Sequence, residues 1–333
     1  MQNGSTHPYD GLTPDVVLDA VDARGYLTDG RLLALNSYEN RVYQVGIEDK
    51  TPVVVKFYRP ERWSNAQILE EHAFALELAA SEIPVVAPTL IEENTLFEHS
   101  GFRYALYPRR GGRSPEPGNP DQLEWLGRFI GRIHAVGRVR SFEHRTRLSV
   151  QAMGVESLDV LREGNAESWG LPEYLRDNFL DAGERLLESV SATFEAARFT
   201  SLRLHGDCHP GNILWTDAGP HFVDLDDCLT GPAIQDIWML LAGPRHEQEA
   251  QLRIFLEGYE QFAEFDLAEL VLIEPLRALR MIHFMAWIAR RWDDPAFPPA
   301  FPWFGTPRYW EEQLNNLREQ RETLEQPPLR LYP

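Results

Sequence analysis

The sequence predicts an α+β protein of two lobes, the first small and rich in strands, the second larger and mostly helical. Three observations predict it. In the first hundred or so residues, short runs rich in valine and aromatic residues alternate with turn signals, and one strong helical stripe lies among them. Residues 109–120, Arg-Arg-Gly-Gly-Arg-Ser-Pro-Glu-Pro-Gly-Asn-Pro, make the clearest linker in the chain. Beyond it the apolar residues recur mainly at helical spacing. The expected division is 1–108 for the first lobe and 109–333 for the second, with a cleft between them.

In the first lobe, Arg41–Val45 and Pro52–Phe57 read as paired strands around the turn Glu48-Asp49-Lys50. A helix starts after Ser64, which with Gln67 forms a capping box, and Ile68, Ala75, Leu78 and Ala79 give it an apolar stripe. Pro84 and Pro88 close that region, and Phe102–Tyr107 is a further strand. In the second lobe, Asp121 and Glu124 read as another capping box ahead of a helical face made by Leu123, Leu126, Ile130 and Ile133. Further helices are expected over 171–197, 233–242, 246–265, 267–291 and 309–326. No internal repeat interrupts this order.

Composition narrows the class. The chain has 333 residues, 43% of them hydrophobic, as a folded globular protein requires. Its formal net charge of −19 sets a field that repels phosphates, so neither nucleic acid nor an anionic membrane is an expected partner. Cys208 and Cys228 are the only cysteines, too few for a disulfide framework. Residues 1–10 are polar and lack a hydrophobic signal region, and no apolar run is long enough to span a membrane. A cytoplasmic monomer is the expectation.

The chemistry concentrates in two loops. Leu204-His205-Gly206-Asp207-Cys208-His209-Pro210-Gly211-Asn212 sets a lone aspartate after an apolar run and an asparagine shortly after it. Phe222-Val223-Asp224-Leu225-Asp226-Asp227 then offers a second aspartate at the end of another apolar run. Metal-assisted phosphoryl transfer needs these groups: one carboxylate, Asp207, to orient an attacking hydroxyl, and oxygen ligands for magnesium, here Asn212, Asp224 and Asp226. Asp207 and Asp224 are thus the catalytic candidates. A polar loop with a turn-forming aspartate would show the first motif too, but not the second acidic loop at this remove. So many acids together also require cations, and Asp227 is expected to be exposed.

Lys56 interrupts Val53-Val54-Val55-Lys56-Phe57-Tyr58 and shares a strand face with Val54. A lysine there either snorkels to solvent or reaches the phosphates of ATP. Glu71 supplies its counterpart, because a carboxylate inside the stripe of the first helix is expensive unless paired. Glu70 is the neighbour on the more polar face. The loop Leu35-Asn36-Ser37-Tyr38-Glu39-Asn40-Arg41 has no glycine, so Ser37, Asn40 and backbone N–H groups are its phosphate-binding candidates, with Arg41 adding charge. Tyr107 and its neighbours, by position, read the adenine. His205, Cys208 and His209 cluster as zinc ligands would, but a second paired set is missing. Cys208 and Cys228 flank the two acidic loops, which makes a redox link between them an open reading.

These residues resemble the protein-kinase-like superfamily that includes aminoglycoside and choline phosphotransferases. The match rests on Lys56 with Glu71, on His205-Gly206-Asp207 with Asn212, and on Val223-Asp224-Leu225-Asp226. It implies a bilobal protein-kinase-like fold and makes Asp236, in Thr230-Gly231-Pro232-Ala233-Ile234-Gln235-Asp236, a buried brace for the Asp207 loop. A long activation segment is absent. More narrowly, 35–44, 55–63, 204–215 and Trp303-Phe304-Gly305 resemble the bacterial stress response kinase A family. That resemblance implies an ATP- and magnesium-dependent serine/threonine protein kinase tied to envelope or oxidative stress. The alternative is a small-molecule hydroxyl kinase of the aminoglycoside, choline or homoserine type. A pseudokinase scaffold is the third reading, disfavoured by the complete set Lys56, Asp207, Asn212 and Asp224.

Overall fold

The computed structural model describes residues 7–331, so residues 1–6 of the polar N-terminal stretch lie outside it. A short helix, α1 (Pro14–Asp22), opens the chain, capped by the Thr13 hydroxyl and led by Pro14. The strands β1 (Thr28–Ala34), β2 (Arg41–Ile47) and β3 (Lys50–Phe57) follow as an antiparallel meander. Next come α2 (Asn65–Ala80) and then β4 (Phe97–His99) and β5 (Phe102–Pro108). The sheet order is β1-β2-β3-β5-β4, so β3 lies at the centre with Lys56 opposite Ala105 of β5. One face of the sheet packs Val45, Val55, Phe57, Tyr104 and Leu106 against Val17 and Val21 of α1. Neither α1 nor β1 was expected from the sequence, since Asp, Gly and Arg dilute the alternation of β1 and its outer face is exposed.

The second lobe begins with α3 (Pro120–Gly137) and continues through one turn of π-helix at Gln151–Val155 into α4 (Glu156–Glu163) and α5 (Glu173–Ala196). Short strands β6 (Leu202–Leu204), β7 (Ile213–Thr216), β8 (Gly219–Phe222) and β9 (Leu229–Gly231) carry the two aspartate loops. Then come α6 (Arg245–Tyr259), α7 (Ile273–Ala289), the single turn α8 (Phe297–Ala300) and α9 (Pro307–Leu324). β6 pairs with β9, and β7 with β8. Helices α3 and α6 touch backbone to backbone: a Cβ at Gly127 would collide with the Phe255 carbonyl, and one at Gly258 with that of Glu124.

Two expectations for local structure are corrected. The capping box at Asp121 and Glu124 does not form. The helix starts earlier, with Pro120 in its first turn and the Asn119 side chain accepting the Gln122 N–H at 3.2 Å. The helix expected over 233–242 is instead two 3-10 turns, Ala233–Asp236 and Trp238–Leu240. Three tertiary ties at successive residues override its helical pattern: Glu269 accepts the Ile234 N–H at 2.9 Å, Gln235 donates to the Gly206 carbonyl at 2.8 Å, and Asp236 accepts from the Asp207 loop. The segment before α7, Leu267–Leu272, is likewise 3-10.

The lobes meet at several points that position the cleft. Val86 donates to the Phe222 carbonyl, and Phe222 donates to that of Pro84, both at 2.8 Å. Glu70 of α2 accepts three successive backbone N–H groups, those of Glu143, His144 and Arg145. Among the described residues, no helix is long and apolar enough to cross a membrane.

Candidate active site

The Asp207 loop is shaped from below. Gly206 sits at φ 86°, a conformation that costs little only without a Cβ. The buried Asp236 carboxylate accepts the backbone N–H groups of both His205 and Gly206, each at 2.8 Å, and also meets His134 at 3.2 Å. His205 is buried and links its Nε2 to the Val223 carbonyl at 2.9 Å, so it joins the two aspartate loops as a scaffold. Asn212 donates its Nδ2 to the Asp207 carbonyl at 3.0 Å, folding the loop back on itself. Burial works against the charge on Asp207, but His209 and Arg280 hold its carboxyl well below the usual aspartate range. It is a carboxylate at neutral pH.

Asp224 is in the left-handed region, φ 59° and ψ 65°, which is uncommon outside glycine and clusters at functional positions. Its side chain is 51% exposed and meets the Lys56 ammonium at 2.9 Å. Lys56 also lies 3.7 Å from Glu71 and 3.0 Å from Asp226. Burial disfavours its charge, yet Asp224, Asp226 and Glu71 together raise Lys56 well above the usual lysine value. The same burial pushes Glu71 up.

Between the lobes lies a cleft of about 290 Å³. Val42, Val54, Ala75 and Leu214 give it apolar walls, suited to a flat ring, and Lys56, Asn212 and Asp224 give it a polar end. Ser37, Glu71 and Tyr107 line it as well. The Tyr107 hydroxyl meets that of Tyr58 at 2.9 Å, and Tyr58 in turn meets buried His72 at 2.6 Å, which stiffens the floor beneath Lys56.

Two expected ligands are placed elsewhere. Asn40 is buried and spends both ends of its amide on structure, Nδ2 on Asp226 at 3.1 Å and Oδ1 on the Arg59 N–H at 3.0 Å. Asp226 is buried in a nest of Lys56, Arg62 and Asn40 and is not among the residues lining the cleft. There it ties the lobes, and Arg62, which the sequence did not reveal, joins Lys56 in offsetting its charge. Arg41 is also engaged, stacked 4.4 Å from the Tyr9 ring. Asp227 is exposed as expected, with Arg62 at 2.5 Å.

The residues missed are mostly arginines. Arg280 of α7 reaches Asp207 Oδ1 at 2.6 Å. Arg145 donates to the carbonyls of Asp226 and Cys228, holding the second loop. Glu39, in the glycine-free loop, accepts from Trp287 of α7 at 2.6 Å and from Arg291, just past the end of that helix, at 3.0 Å. Arg59 completes this seam with Asp294 at 2.9 Å. Each pair spans a long stretch of sequence, so only the unpaired charge itself could have signalled it.

Asp226 is offset by Arg62 as well as by Lys56, whereas Asp224 is half-exposed at the cleft and Glu71 Oε2 is buried without a hydrogen-bond partner. Asp224 and the Asn212 amide oxygen form a hard-oxygen donor set, which fits magnesium shared with nucleotide phosphates. No group of three or more His, Cys, Asp or Glu able to hold a metal alone occurs among the described residues. Cys208 and Cys228 are buried free thiols, and burial raises both.

A model of the phosphotransferase enzyme family matches residues 31–273. Stress response kinase A of Escherichia coli strain K12 is 48% identical over 331 residues, 99% of either chain. The chain belongs to the phosphotransferase enzyme family, and within it to the stress response kinase A family. It is a kinase. The relative from Salmonella typhimurium strain LT2, named serine/threonine protein kinase RdoA, is also 48% identical with 99% of each chain covered. Among solved structures, amicoumacin kinase in complex with AMP-PNP, Ca2+ and its antibiotic superposes with a TM-score of 0.67 at 19% identity, covering 87% of this chain and 90% of its own. A microcompartment-associated aminopropanol kinase gives 0.67 at 17% identity, covering 96% of this chain and 100% of its own. At those identities the likeness is one of fold. It agrees with the bilobal kinase-like α+β architecture.

Proposed function

We propose that this kinase transfers the γ-phosphoryl group of ATP, with magnesium, to serine and threonine hydroxyls of proteins, as part of a bacterial stress response in the cytoplasm. The observation that carries the reading is the placement of Lys56, Glu71 and Asp224 at the polar end of a flat apolar cleft, with the Asp207–Asn212 loop at its side. Lys56 would hold the inner phosphates, its direction fixed by Glu71. Asp207, kept ionised by its neighbours, accepts the acceptor hydroxyl's proton as its oxygen bonds the phosphorus and the bond to ADP breaks. Asp224 and Asn212 would hold magnesium, whose charge offsets that of the phosphates. Ser37 and backbone N–H groups of the glycine-free loop would cover the phosphates, and the 107–108 backbone would meet the adenine. The protein acceptor is supported by the Salmonella relative, whose name states that activity.

The second reading, a small-molecule hydroxyl kinase, is favoured by the direct run from Asp224 to Asp236 without an activation segment, and by solved neighbours that are kinases of an antibiotic and of aminopropanol. Labelled phosphate from ATP, offered to protein mixtures and to metabolite pools in parallel, separates the two. Transfer to metabolites alone overturns the protein acceptor. In the same assay Asp207→Ala loses about 100- to 10,000-fold in kcat while keeping nucleotide affinity, and Asp224→Ala loses magnesium-dependent nucleotide binding. Turnover unchanged in Asp207→Ala, or intact Mg-ATP binding in Asp224→Ala, contradicts the assigned roles.

A further inference from the structure

The two oxygens of Asp207 have different company. Oδ2 faces its own loop, 3.4 Å from both Asn212 Nδ2 and His209 Nε2. Oδ1 is taken by Arg280 Nη1 at 2.6 Å. Arg280 comes from α7, is 40% exposed, and has no other carboxylate within ion-pair distance among the described residues. It does not line the nucleotide cleft. An arginine on that oxygen takes one of its lone-pair directions and lowers its basicity, so Oδ1 becomes the better proton acceptor when Arg280 finds another anion.

The surroundings offer none. Asp227, the nearby exposed acid, is already bound by Arg62 at 2.5 Å. One helical turn beyond Arg280, Phe284 stacks on Trp287 and Trp303 at ring distances of 5.8 and 6.3 Å, and with Trp303 and Tyr309 it borders an open groove of about 540 Å³. Arg308, which also lines that groove, is paired with Glu312 at 2.8 Å, so Arg280 is the cation beside Asp207 that an acceptor can engage, on a chain whose net charge is −19.

We propose that Arg280 reads the charge of the acceptor: it pairs with a carboxylate that flanks the target serine or threonine, and in leaving Asp207 Oδ1 it frees that oxygen to take the hydroxyl's proton. This rests on the protein-acceptor reading above. Acidic segments are then substrates. A cationic group beside the hydroxyl meets Arg280 as a like charge and leaves the Arg280–Asp207 pair closed.

The test uses the full-length enzyme, labelled ATP, and two serine peptides identical except for glutamate or lysine residues beside the serine. The wild-type enzyme should favour the acidic peptide in kcat/KM by at least about tenfold, the effect of one good charge pair. Arg280→Gln should bring that ratio to near one, chiefly through KM for the acidic peptide, with KM for ATP unchanged. Arg280→Lys should restore much of the preference, since it returns the charge. Independently of any variant, the wild-type preference should shrink as salt is raised. A preference that survives Arg280→Gln, that is indifferent to salt, or that favours lysine overturns the proposal. Phosphorylation of metabolites with neither peptide accepted overturns the protein-acceptor reading instead, and the proposal with it.

Discussion

Asp207 and Lys56 show how single residues here are held in the charge state that their proposed chemistry needs. Each is buried against its own charge and rescued by opposite charges, Arg280 and His209 for one, three carboxylates for the other. Lys56 and Glu71 were legible in the sequence because each broke an apolar pattern and so demanded a partner. Arg280 was not, since it interrupts a helix in a way that reads as a solvated charge, 73 residues from its partner. The contacts of Asn40 and Asp226 were not legible for the complementary reason: their partners, Arg59 and Arg62, lie in a connecting segment that shows no periodicity. Glu269 offers a residue-level test away from the cleft. Burial pushes its carboxyl from 4.5 up to about 7, although the Ile234 N–H bonds it at 2.9 Å. A folded-state value above the unfolded one means the native state holds the proton more tightly. Its stabilising contribution is full below pH 4.5 and lost as pH rises through about 7. Glu269→Gln should therefore match the wild type near pH 4.5 and exceed it at pH 8, as read by urea midpoints. Equal stability of the two at pH 8 would contradict the buried charge.

At the scale of elements, caps and ties decide where helices begin and whether they form. The capping box at Ser64 and Gln67 is present in both directions, at 3.2 and 2.9 Å, and its spacing alone identified the start of α2. The spacing at Asp121 and Glu124 was equally good and misleading, because Asn119 followed by Pro120 is the stronger start signal. Asn119→Ala should cost about 1 kcal/mol of stability, whereas Asp121→Ala should cost a few tenths. Denaturant midpoints of the two variants decide it, and the reverse order would restore the capping box. The 3-10 turns at 233–240 teach a related point: periodicity shows a buried segment, but tertiary hydrogen bonds at consecutive residues choose its winding.

For the whole molecule, the division into a sheet-based and a helical lobe was readable from composition and period, while the seam between them was not. That seam is ionic. Glu39 joins the glycine-free loop to Trp287 and Arg291, Arg59 joins Asp294, and Arg62 joins Asp226 and Asp227. Glu39→Ala strands Arg291 and the Trp287 N–H without their acceptor, so it should cost about 1–3 kcal/mol. It should also raise KM for ATP, because the loop that carries Ser37 loses its anchor. A variant with wild-type melting temperature and KM for ATP would show the seam to be energetically idle.

The composition of this seam has a consequence for how the enzyme empties itself after turnover. Surfaces joined by charge are wettable once parted, whereas apolar surfaces are not. Apart from Tyr38 on Phe301, the groups joined on this side are promptly solvated once parted, while the apolar bond between the lobes lies behind them, where Phe74, Leu78 and Val85 of the first lobe pack with Ile130 and Phe222 of the second. A bound nucleotide could then leave by parting of the ionic side alone, with the apolar contact at α2 staying closed as the pivot.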